Sequence, residues 1–93
     1  MIERIVLEAD ESAGMWRYRV KYGEEWFFQQ VWRHPDTDRL DSSVAHLSYI
    51  PEDNGEWHEV LEALRSLGPP YFTSIDEAVA DADRLILAWR SEA

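Results

Sequence analysis

The sequence predicts an α+β domain in which an antiparallel meander of three or four strands is followed by two amphipathic helices packed on one sheet face. Three observations predict it. Residues 15–22, MWRYRVKY, alternate between large apolar and cationic side chains, the period of a half-buried strand. Gly23 and a second aromatic run follow at once, as in a hairpin. The second half of the chain carries two apolar stripes at helical spacing, each behind a carboxylate or hydroxyl cap. Strands first and helices afterwards place the helices together on one side of the sheet.

Residues 2–9 hold the cluster Ile5-Val6-Leu7 between charges and read as the first strand, ended by the turn residues 10–14, DESAG. In the second strand Trp16, Tyr18, Val20 and Tyr22 share one face, and Arg17, Arg19 and Lys21 the other. Register then decides the fate of the third strand. A three-residue loop, Gly23 to Glu25, pairs Tyr22 with Trp26 and gathers Trp26, Phe28 and Trp32 onto the core face. A two-residue loop pairs Lys21 with Trp26 and Arg19 with Phe28. It moves those three rings to the arginine face and sends Phe27 and Val31 inward. The three-residue loop is the expected one, because each large apolar side chain buried is worth roughly 1.5–3 kcal/mol. It leaves Phe27 and Val31 beside Arg17, Arg19, Lys21 and Arg33 on the outer face, where a covering element or partner is expected.

Residues 34–43, HPDTDRLDSS, read as a polar loop, and residues 44–50 as a fourth strand closed by Pro51. Asp53 with Glu56 marks a helix start, and Trp57, Val60, Leu61, Leu64 and Leu67 form one stripe of a helix from about Asn54 to Leu67. Gly68, Pro69 and Pro70 then stop it. Ser74 with Glu77 forms a second capping box, opening a helix to about Trp89 or Arg90 with the stripe Ile75, Ala78, Val79, Ala82, Leu85 or Ile86, and Trp89. All 93 residues fit one domain, with 45% apolar residues to build its core.

Composition excludes several chemistries. The chain has no cysteine, so it has no disulfide framework, thiolate nucleophile or cysteine-ligated metal. Glycine occurs only at positions 14, 23, 55 and 68, which assembles neither a P-loop nor a dinucleotide fingerprint. Lys21, alone of its type, sits in a cationic strand pattern rather than a nucleophile's surroundings. Asp36 and Asp38 imitate a calcium loop, but Asp41 stands where glycine is needed and Leu47 where glutamate is. His58, Glu59 and Glu62 lack the second histidine of a zinc-protease helix. Ser42 and Ser43 near His46 have no triad spacing, and His34 has no partner pattern. No catalytic residue, cofactor or metal is expected. The opening residues lack a signal peptide's apolar run, and no segment reaches the roughly 20 apolar residues of a membrane span. A cytoplasmic protein that contacts no membrane is expected.

Nineteen Asp and Glu against nine Lys and Arg give a net charge of −10, which repels nucleic acid at long range and favours basic partners. Direct nucleic-acid binding is therefore not expected. Two surfaces are candidates for contact. The acidic one comprises Glu52, Glu56, Glu59 and Glu62 on the first helix and Asp76, Glu77, Asp81 and Asp83 on the second. The cationic and aromatic one comprises Arg17, Arg19, Lys21, Phe27, Arg33 and Tyr71, the last in a stiff connection in which Phe72 packs inward near Ile75.

In size and charge the chain is similar to small acidic accessory proteins of phages and mobile elements, a likeness of composition and not of motif. The expected function is a non-catalytic, accessory or inhibitory interaction domain. Its acidic helices steer a basic protein, and exposed aromatics anchor it. The alternatives are a nucleic-acid mimic that blocks a DNA- or RNA-binding enzyme, and a small-molecule domain with an aromatic pocket. A homodimer is one of the assemblies its polarity allows.

Overall fold

The computed structural model describes residues 2–51, 57–64 and 71–92. Among these residues five strands and one helix follow in chain order: β1 (Ile2–Asp10), β2 (Met15–Tyr22), β3 (Glu25–Arg33), β4 (Leu40–Pro51), β5 (Trp57–Leu64) and α1 (Ile75–Glu92). The strands form an antiparallel meander, β1-β2-β3-β4-β5, each paired with its sequence neighbour. The fold is α+β as expected, with one C-terminal helix where two were predicted.

The segment expected as the first helix contains β5. Leu64 pairs with Val44, Leu61 with Leu47 and Trp57 with Pro51; Asn54–Glu56 and Arg65–Leu67 lie outside the described residues. Apolar residues at 57, 60, 61 and 64 satisfy a helical stripe, yet a strand places apolar residues on both faces equally well. Helix propensity among such residues differs by only tenths of a kcal/mol each. A ladder along the outer edge of β4 satisfies main-chain groups worth about 0.5–1.5 kcal/mol per bond. Pairing therefore outweighs local preference. β4 also begins at Leu40, so the expected loop of residues 34–43 shortens to residues 34–39.

The hairpin between β2 and β3 corrects the expected register. Tyr22 pairs with Glu25, Lys21 with Trp26 and Arg19 with Phe28, so the connection is the two-residue Gly23-Glu24. Gly23 has φ 63°, and a positive φ at the first central position alone is the pattern of a tight type II′ turn, whose twist matches that of the strands. Trp16, Tyr18 and Val20 thus share the helix-facing side with Phe27, Gln29 and Val31, all buried. The reason is room. A helix stands about 10 Å above a sheet, and α1 meets it through the small residues Ala78 and Ala82 together with Ile86, each fully buried. A face of Trp26, Phe28 and Trp32 added to Trp16 and Tyr18 overfills that layer, and overpacking typically costs about 1–3 kcal/mol.

The helix begins as its sequence predicts. Glu77 N donates to Ser74 Oγ at 3.2 Å, while the Glu77 carboxylate accepts from Thr73 N at 3.0 Å and Thr73 Oγ1 at 2.9 Å. The reach back goes one residue further than in a simple capping box. Ile75, Val79, Leu85 and Trp89 flank the buried stripe. Trp89 stacks on His46 at 4.3 Å between ring centroids and meets the edge of Phe27 at 5.3 Å. Leu40 and Phe72 exchange main-chain hydrogen bonds of 2.8 Å, and this bridge brings the chain back over the sheet before α1. Phe72 is buried, as expected.

Candidate functional site

Two-layer architecture covers one sheet face and leaves the other without a packed element among the described residues. Strand alternation assigns its occupants. β2 contributes Met15, Arg17, Arg19 and Lys21. β3 contributes Trp26, Phe28, Gln30 and Trp32, opposite Lys21, Arg19, Arg17 and Met15 respectively. β4 adds Asp41, Ser43, Ala45 and Leu47. A column of cations therefore runs beside a column of large rings, at the roughly 4.8 Å separation of neighbouring strands. Trp26, Phe28 and Trp32 are half-buried. Leu47 lies outside the helix-side core cluster yet is only 2% exposed.

The cations of this face are held differently. Arg17 pairs with Glu8 at 3.1 Å, and both side chains remain well exposed. Lys21 lies over the Trp26 ring, 5.5 Å from its centroid, a contact worth about 0.5–1 kcal/mol where water reaches it. Arg19 stands between Ile5 and Phe28 in the register. Its Nε is buried and has no hydrogen-bond acceptor.

The expected cationic and aromatic surface is thus divided. Arg17, Arg19 and Lys21 share the open face, but Phe27 is fully buried under the helix. Arg33 belongs to the opposite side, its guanidinium 5.4 Å from the Trp16 ring and its Nη1 donating to Glu11 O at 3.3 Å. Tyr71 is 41% exposed, but it lies against His34 and Arg39 in the connection before α1. Trp26, Phe28 and Trp32 are the site residues that sequence reasoning placed in the core. The available signal was Gly23 itself, which permits the tighter loop.

The expected acidic surface is also redrawn. Glu52 and Glu56 lie outside the described residues. Glu59 and Glu62 fall on β5, opposite Tyr49 and His46, so the helical row that united them does not form. On α1, Asp76 and Glu77 are exposed at the first turn. Asp81 is only 4% exposed and accepts a hydrogen bond from Arg84. Asp83 accepts from Arg4 Nη2 at 2.7 Å, tying the helix to β1. Two of these four carboxylates therefore have arginine partners within the chain.

His46 is buried, with Nε2 2.8 Å from Glu25 Oε2. Ser42 Oγ instead accepts from Gln29 Nε2 at 3.1 Å. A shallow hollow of about 420 Å³ lies at one end of the sheet between residues 12–14 and 33–38. No helix among the described residues is long and apolar enough to cross a membrane. Comparison with protein-family models, with curated proteins and with solved structures returns no match.

Proposed function

We propose that this chain is a non-catalytic protein-interaction domain that docks its partner on the open sheet face. The observation that carries this reading is the column Trp26, Phe28 and Trp32 beside Arg17, Arg19 and Lys21, on a face no described element covers. Large rings and arginine dominate the binding energy of protein interfaces, and a half-buried aromatic column offers that material with little ordering cost. The acidic helix surface has weaker support as the principal contact, since Asp81 and Asp83 already have arginine partners. The net charge of −10 acts on the approach of a partner as a whole, whereas the contact itself is set by the local cations and rings of the open face.

A photo-reactive phenylalanine analogue in place of Gln30, on the open face, tests the reading against the same analogue in place of Asp76 on the helix. The expected result is a discrete polypeptide adduct from position 30 that excess unlabelled chain competes away. Adducts from position 76 alone move the contact to the helix. No competed adduct from either position, at low or physiological salt, rejects a protein-interaction role.

A further inference from the structure

Carboxylates outnumber cations 19 to 9 in this chain, so an arginine on its surface has no shortage of possible counter-ions. Arg19 nevertheless has none among the described residues. Its register neighbours are Ile5 and Phe28, and its Nε is buried without an acceptor. Lys21, although opposite Glu3, makes no ion pair among the described residues and rests on Trp26 instead. Arg33 and Arg39 also lack carboxylate partners among the described residues, but they lie over Trp16 and Tyr71 away from this face. On the open face the cations without a described carboxylate partner are Arg19 and Lys21, beside Phe28 and Trp26.

We infer that the open face recognises an acidic polypeptide segment in which carboxylates alternate with apolar side chains. This inference rests on the protein-interaction reading above and names the partner's chemistry. A partner carboxylate accepts from the guanidinium of Arg19, a second pairs with Lys21, and apolar side chains between them cover Phe28, Trp26 and Trp32. Arginine suits the central position because its planar fork bonds a carboxylate bidentately.

The surroundings favour such a segment over other occupants. Glu3, Glu8 and Asp10 border the cations on β1, and Asp41 lies beside Trp32 on β4. A continuous phosphate backbone crossing the face meets all of those carboxylates, whereas a segment whose main carboxylate sits at Arg19, between Ile5 and Phe28, meets fewer of them. A second copy brings the same pair of unneutralised cations to the contact.

The test uses the full chain with labelled indole groups and three probes: a seven-residue peptide alternating glutamate with valine and leucine, its lysine counterpart, and an oligothymidylate. The glutamate peptide is expected to shift the indole resonances of Trp26 and Trp32 while leaving those of Trp16 and Trp89 in place. Affinity should fall as salt rises and drop at least about tenfold in Arg19→Glu, with Arg19→Lys recovering part of it. A dispersed amide spectrum for each variant establishes that it is folded.

Equal or tighter binding of the lysine peptide overturns the inference, as does glutamate-peptide binding indifferent to Arg19→Glu. Tighter oligothymidylate binding assigns the face to single-stranded nucleic acid, and concentration-dependent shifts without any probe assign it to a second copy. Either result also overturns it. If position 30 cross-links a protein but the glutamate peptide fails, the partner chemistry is wrong and the interaction role stands. If only position 76 yields a competed adduct, the open-face reading and this inference fall together while an interaction role on the helix stands; if neither position does, the interaction role itself fails.

Discussion

Gln29 is fully buried at the centre of the helix-facing side, its Nε2 donating to Ala78 O at 3.0 Å and to Ser42 Oγ, while Oε1 has no partner. A buried amide left half-satisfied is costly, so Gln29→Met should change stability by less than about 1 kcal/mol in urea unfolding. Phe27→Ala, which empties the space beneath Trp89 and His46, should cost about 3–5 kcal/mol in the same measurement. At the helix start, the main-chain and hydroxyl bonds from Thr73 hold the Glu77 carboxyl below its ordinary value. A lowered folded value means that the ionised form stabilises the helix. That contribution is complete above the unfolded value near 4.5 and is lost as pH falls through the folded one. Carboxyl resonances followed by NMR should show Glu77 titrating below the exposed glutamates, and Glu77→Gln should remove this component from the pH dependence of helical circular dichroism.

Elements show where local pattern is enough and where it is not. α1 was legible because Ser74, Glu77 and the stripe from Ile75 to Trp89 agree with one another, and cap, period and burial all point to one helix. β5 was not, because WHEVLEAL satisfies a helical stripe while β4 offers it a ladder. Secondary chemical shifts over residues 57–64 should be strand-like, and helical values there would refute the pairing. At the opposite edge, β1 is paired, among the described residues, with β2 alone and is displaced by a bulge between Val6 and Glu8. Its Ile5, Val6 and Leu7 are about half exposed, at 48%, 59% and 50%. Bulges and charges blunt the pairing tendency of an edge. Leu7→Asp should therefore change unfolding free energy by no more than about 0.5 kcal/mol while raising solubility, as measured by light scattering at high concentration.

At the scale of the whole molecule, a net charge of −10 strains the folded state by self-repulsion, relieved only in part by the pairs Arg4–Asp83, Arg84–Asp81 and Arg17–Glu8. Added salt screens that repulsion over a Debye length of about 10 Å at 0.1 M. The Tm is accordingly expected to rise between low and physiological salt, whereas binding to the open face should weaken over the same range. Opposite responses in one titration separate the field of the whole chain from the local contact at Arg19.

The α+β class, the first three strands, the C-terminal helix and the acidic bias were determined by the sequence alone, because each follows from a short-range period or a count, whereas the start of β4 at Leu40 was not. Which face received Trp26, Phe28 and Trp32 was decided only by tertiary structure. One residue of loop length exchanges the two faces of β3, and hydrophobicity by itself does not say how many rings fit beneath one helix. The contact surface follows from that limit on space. Rings that the helix layer cannot accommodate occupy the opposite side, beside an arginine for which no described residue supplies a carboxylate.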